Sequence, residues 1–250
     1  MMRVSSAVVV LLGIVVVAAA RGQADNEAQV ILDKALKAHF PKGKTDKKHA
    51  YIGKNKGTIH AGGLKLDFTQ QVWVQPSGKF KEVLDMTVMD KAVKVSTVFD
   101  GKKGWIKVND MDITVSDEIL DEFKQIGYWM GLAQLTGFKN KGIKLSLLGE
   151  VQVNGRANLG VKVSKEGKKD IDFYFDKKTG LMSKTERRTR DLMTGQEVTE
   201  ERLITEYQDT NDRKVARRVT VNRDGKKLLD VEVLEVELLD NIDDGEFAAP

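Results

Sequence analysis

The sequence has no cysteine, only three prolines and three histidines in 250 residues, and no apolar run longer than the 14 residues from Ala7 to Ala20. Without cysteine there are no disulfides, thiolate metal sites, cysteine nucleophiles or lipid on an N-terminal cysteine. His39, His49 and His60 show no H-E-x-x-H or other ligand spacing, so no metal site is expected. The apolar run falls short of the roughly 20 residues that span a bilayer. At 31% charged and 41% hydrophobic residues, the chain is neither disordered nor a multi-span membrane protein. A net charge of +4 is too mild to imply a nucleic-acid partner.

Residues 1–20 combine a positive Arg3, an apolar stretch from Ala7 to Val17 and an Ala18-Ala19-Ala20 cleavage site. That is the grammar of an export signal, cut after Ala20, which places the mature chain in a periplasm. Residues 21–250 are then expected to form one domain. A first helix is predicted over Ala28–Phe40, capped by Asp25 or Asn26 and stopped by Pro41. Lys42–Lys56 is basic and suits a solvated linker leading into a strand.

From about Tyr51 the period changes to two. Leu64, Leu66, Phe68, Val72 and Val74 fall on one face of a strand, and the Pro76-Ser77-Gly78 turn follows. Turns at Asp100-Gly101, Asn154-Gly155, Glu166-Gly167, Thr179-Gly180, Thr194-Gly195 and Asp224-Gly225 punctuate the rest. Ten or eleven antiparallel strands are expected, in a mainly β (α+β) fold. The stretch 183–190, SKTERRTR, has no apolar residue, so it is expected to project beyond the core or to wet both faces. In the last strand the apolar phase slips from odd to even positions after Val233, which predicts a β-bulge there.

Ser116–Phe138 breaks the β pattern. Ser116 caps it, and Ile119, Phe123, Ile126, Met130 and Ala133 form one stripe. Tyr128, Leu132 and Leu135 point the other way, so its second half must be covered on both sides. Gly127, Gly131 and Gly137 weaken a helix interior. Both a lid or plug and a core helix with a Gly-rich end fit this pattern.

Catalytic chemistry is not indicated. G-x-S-x-G and phosphate-loop patterns are absent, and adjacent carboxylates such as Glu200-Glu201 point to opposite faces of a strand. The histidines suit surface or capping roles, His39 as a cation at a helix C-terminus. Residues 139–169 hold eight Lys or Arg against two Glu, and 224–250 hold nine Asp or Glu against two Lys. These are either solvated faces that pair across a sheet or a basic rim for an anionic head group. The chain reads as a binding protein without cofactor, not an enzyme.

Several segments resemble one family. VQPSGKF (Val74–Phe80), VFDGKKGW (Val98–Trp105), FYFDKKTGLMSKTE (Phe173–Glu186) and the terminal DDGEFAAP are similar to the hairpins and terminus of the periplasmic lipoprotein carriers, the LolA/LolB-like superfamily. The resemblance implies a strongly curved, incomplete β-barrel, covered by helices, around a cavity for the acyl chains of a lipid or lipid-modified protein. It also implies delivery to the outer membrane, with donor and acceptor proteins at the two membranes, and a soluble monomer rather than a tethered form. The alternative is an envelope interaction module with a filled core. The cavity candidates are Leu66, Phe68, Val72, Phe80, Leu84, Val95, Phe99, Trp129, Met130 and Leu132. Met86, Met89, Met111 and Met182 would add adaptable apolar surface.

Overall fold

The computed structural model describes residues 26–43, 49–192, 194–210 and 213–250. The export signal, its cleavage site and Asp25 lie outside the described residues. Helix α1 covers 26–39 and ends before Pro41. Six strands follow: β1 (Ala50–Ala61), β2 (Leu64–Val74), β3 (Phe80–Val88), β4 (Lys91–Phe99), β5 (Gly104–Val108) and β6 (Met111–Ile113). Helix α2 (Asp117–Ala133) and a 3₁₀ turn (Thr136–Lys139) lead to β7 (Lys144–Val153), β8 (Arg156–Ser164) and β9 (Ile171–Asp176). The chain closes with β10 (Met182–Arg190), β11 (Glu197–Asp209), β12 (Lys214–Arg223) and β13 (Lys226–Leu239).

Among the described residues, all thirteen strands form one curved, unclosed antiparallel sheet in the order β6-β5-β4-β3-β2-β1-β13-β12-β11-β10-β9-β8-β7. Each half is a hairpin meander, and the β1–β13 pair joins them. The count exceeds the expected ten or eleven partly because β6 is three exposed residues long, too short to show a period. The two free edges, β6 and β7, are neighbours in sequence, so α2 and its 3₁₀ turn must carry the chain from one edge to the other. The bulge is where the phase slip placed it. Lys54 pairs with Glu235 and Asn55 with Val233, leaving Leu234 as the extra, exposed residue.

Both sides of α2 are covered, as its all-round apolarity requires. Ile119, Phe123, Ile126 and Met130 pack on Val74, Phe80 and Phe99 of the first meander. Phe80, Phe99 and Phe123 meet with ring centres 5.6–6.1 Å apart, in tilted and edge-on pairs. On the other side, Leu132, Leu135 and Phe138 join α1 (Leu32, Leu36) against Val161, Phe173 and Phe175. Full burial of such side chains contributes about 1.5–3 kcal/mol each.

The helix glycines serve close approach. A Cβ on Gly127 would lie 2.2 Å from the Gly78 carbonyl oxygen, so α2 rests directly on the Pro76–Gly78 turn. A third cluster sits on the opposite face of the sheet, where Ile242 and Phe247 cover Ala50, Val98, Trp73 and Trp105. Gln75 Nε2 holds that segment by donating to the Ile242 carbonyl at 2.7 Å and to Asn241 Oδ1 at 2.8 Å.

Two expectations are corrected. Strand β10 neither projects beyond the core nor wets both faces. Thr185, Arg187 and Thr189 are all buried, because a carboxylate of α2 and the charges of β11 satisfy this polar face internally. His39 is not a surface cation. It is buried, with Nδ1–H donating to the Ala35 carbonyl at 2.9 Å, while Nε2 accepts from the Met182 N–H at 3.4 Å. Burial pushes its pKa down to about 4.

Candidate functional site

The inner face of the sheet and the underside of α2 enclose a cavity of about 470 Å³. Ile126, Trp129, Met130 and Ala133 form its roof, Phe68, Val72 and Leu84 one wall, and Val231, Val233 and Val236 of β13 another. Cross-strand pairing explains the wall. Phe68 lies opposite Met86, Val72 opposite Glu82, and Leu84 opposite Val95, so each pair shares a face. Gly53 and Gly57 of β1 let Val72 and Phe68 lie directly against the strand, since a Cβ would come within 3.0 Å of Val72 and 2.7 Å of the Phe68 ring. A larger, more open space of about 1330 Å³ adjoins the cavity and shares Phe68, Val219 and Val231 with it. Leu66, Met86 and Val93 line this outer part. The interior is therefore a trough, roofed at one end and open at the other.

The structure brings Phe68, Val72, Leu84, Trp129 and Met130 together around the roofed cavity. Leu66 lines the open part, and Val95 stands half-buried beside Leu84. Phe80 and Phe99 are packed around Phe123, and Leu132 is packed beneath α1, so these three face other side chains. Of the methionines, Met182 belongs to the packed core and also lines the roofed cavity, whereas Met89 and Met111 are exposed at hairpin tips and add nothing to the interior.

Sequence reasoning missed the polar end of the cavity. Glu122, 4% exposed on α2, accepts from Arg187 Nη1 at 3.2 Å, from the Thr189 hydroxyl and from the Arg190 N–H at 3.0 Å. Glu200, 2% exposed, receives Arg187, Arg202 and Arg223 at 3.0–3.4 Å. Burial alone would raise the Glu200 carboxyl, but the charges of Arg202, Arg187 and Arg223 outweigh it and hold it at about 2. Two of these guanidiniums lie over the Trp129 ring, Arg202 at 4.3 Å and Arg187 at 5.5 Å. Across the cavity Asn55, Gln70 and Glu82 form a hydrogen-bonded row, and burial pushes the Glu82 carboxyl up. Glu201 points the other way, to Lys184, as its place on a strand requires. The signal was present: Glu122 lies next to Phe123 in the apolar stripe, and Thr-x-Arg-x-Thr on β10 alternates opposite Glu-x-Arg on β11.

The cavity combines apolar walls with a charged end, and the described residues hold no cluster of metal-ligating side chains. No described helix is long and apolar enough to cross a membrane. No protein-family model matches the chain, and no curated protein matches it. Solved structures do. A domain from Vibrio parahaemolyticus assigned to the outer membrane lipoprotein-sorting proteins is similar at a TM-score of 0.54 and 11% identity, covering 88% of this chain and 97% of its own. A DUF1329 family protein from Desulfovibrio piger gives 0.52 at 13% identity, and a LolA superfamily protein from Nitrosomonas europaea 0.51 at 10%, with the same coverage. The chain thus shares the fold of these structures, one of them a LolA superfamily protein.

Proposed function

We propose that this protein is an exported, periplasmic carrier that holds the acyl chains of a lipid or lipid-modified protein in the roofed trough. The supporting observation is the apolar inner surface of the roofed cavity, from Met130 on the roof to Phe68, Val72 and Leu84, with Leu66, Met86 and Val93 as apolar positions in the more polar open part. Each methylene covered there contributes about 0.8 kcal/mol, so two acyl chains supply ample affinity without any chemical step. The cavity volume falls within the roughly 300–1,000 Å³ of small-molecule sites. Residues 1–20 act as the removable export signal, and the mature carrier works as a monomer. Delivery toward the outer membrane is part of this proposal and is supported by the lipoprotein-sorting name of one structural neighbour.

The test is uptake of a fluorescent fatty acid by purified 21–250, with native mass spectrometry for co-purifying diacyl lipid. Leu84→Trp and Val233→Trp fill the trough and should abolish uptake while leaving the unfolding transition in place. Wild-type protein that neither takes up the probe nor carries lipid would overturn the proposal, as would unchanged uptake by both filled variants.

A further inference from the structure

The solvent side of α2 carries a second space that the trough does not explain. A crevice of about 260 Å³ opens between α2, the Pro76–Gly78 turn and the turn that joins β8 to β9. Lys165 and Lys168 of that turn reach into it, beside Tyr128, Ser77 and Gly131. Gly131 leaves room, since a Cβ there would meet nothing nearer than the Pro76 carbonyl at 3.9 Å.

Two independent observations show the same missing partner. The Tyr128 hydroxyl is buried and has no hydrogen-bond partner among the described residues. Burial, together with the charge of Asp170, pushes that phenol up to about 12, so it remains a donor at neutral pH. A buried donor left unpaired costs about 1–3 kcal/mol. Meanwhile the Lys168 ammonium lies 5.6 Å from the Tyr128 ring and donates to the Lys124 carbonyl at 3.3 Å, with no carboxylate in an ion pair with it among the described residues. Burial and the neighbouring charges of Lys165 and Lys124 lower its pKa. Of the acidic groups near these lysines, Asp121 is paired with Lys124 at 2.8 Å, Asp170 lies 3.9 Å from Lys162, and Glu166 is exposed. Among the described residues, an unpaired hydroxyl donor and two ammonium groups that sit in no ion pair call for an acceptor that carries negative charge.

We propose that this crevice is an oxyanion site that takes a phosphate-type group, either free or on a lipid head. Lys165 and Lys168 supply charge-assisted hydrogen bonds and Tyr128 a neutral one. The bound group bridges α2 to the β8–β9 turn, which already touches the helix where the Lys169 N–H donates to Gln125 Oε1 at 3.2 Å. Occupancy therefore clamps the roof of the trough from outside. The lysines belong to the basic run 139–169, whose excess charge is thereby focused at one place.

The experiment is titration of the full mature chain with inorganic phosphate, read by the NMR shifts of the Tyr128 ring and the Lys168 side chain. In parallel, flotation is measured with phosphatidylcholine vesicles with and without phosphatidylglycerol. A saturable shift that Lys165→Met weakens about tenfold, equivalent to about 1.4 kcal/mol, and Tyr128→Phe weakens measurably establishes the site. A shift with phosphate identifies a free anion. Flotation only with phosphatidylglycerol, lost in Lys165→Met, identifies a lipid head. No response to either probe, or responses that Lys165→Met and Tyr128→Phe leave unchanged, would overturn the proposal. Neither arm requires acyl uptake, so failure here is distinct from failure of the carrier reading.

Discussion

Glu122 on α2 and Arg187 on β10, 65 residues apart in sequence, meet at 3.2 Å in the interior and tie the roof helix to the sheet. Two further donors, the Thr189 hydroxyl and the Arg190 N–H, hold the same carboxylate. Removing Glu122 leaves Arg187 paired with Glu200 but strips the Thr189 hydroxyl and the Arg190 N–H of their acceptor. Glu122→Ala should cost about 2–3 kcal/mol, whereas Glu122→Leu combined with Arg187→Met should cost less than the sum of the two single changes. Urea unfolding of the single and double variants measures this directly. A double variant as unstable as the sum of the singles would contradict it.

His39 makes stability pH-dependent. Its folded pKa of about 4 lies below the ordinary value of 6.5, so the unfolded chain binds the proton more readily between those values. Its contribution is complete above pH 6.5 and is lost as pH falls toward 4. The loss reaches about 3 kcal/mol at most. Thermal unfolding of wild type against His39→Gln across that window should show the variant with the flatter profile.

Two glycines of α2 should respond in opposite senses. Gly127→Ala drives a methyl into the Gly78 carbonyl and should destabilise by about 2 kcal/mol. Gly131→Ala meets only an ordinary contact and should stabilise by about 0.5–1 kcal/mol through helix propensity. Equal shifts in the denaturation midpoint would show that helix looseness, not contact with the turn, governs both positions.

Phe247 is expected to matter although it lies three residues from the end of the sequence. It is 1% exposed over Ala50 and Val98, so Phe247→Ala should cost about 3–5 kcal/mol. Protease sensitivity of the outer-face cluster should rise in parallel.

Much of the architecture was legible before any coordinates. Period-two runs, X-Gly turns and scarce proline specify antiparallel hairpins, since each is a local property of neighbouring residues. The bulge could be placed for the same reason: an extra residue shifts every later side chain to the other face, as Leu234 does between Val233 and Glu235. The all-round apolarity of α2 required cover on both sides, and Val74 and Phe173 lie in the two clusters that supply it.

The candidate site was only partly legible. A dry-face residue reads the same whether it lines a cavity or fills a core, so Leu84 and Phe80 were indistinguishable although one faces the trough and the other packs on Phe123. The sequence by itself determined strands, turns, helix faces and the place of the bulge, because those depend on residues within a few positions of one another. The tertiary structure alone decided that β10 is buried, that His39 is neutral and that Glu122 belongs with Arg187 and Glu200. Burial and charge compensation are set by groups brought together across dozens of residues, and no local period records which carboxylate a distant arginine will meet.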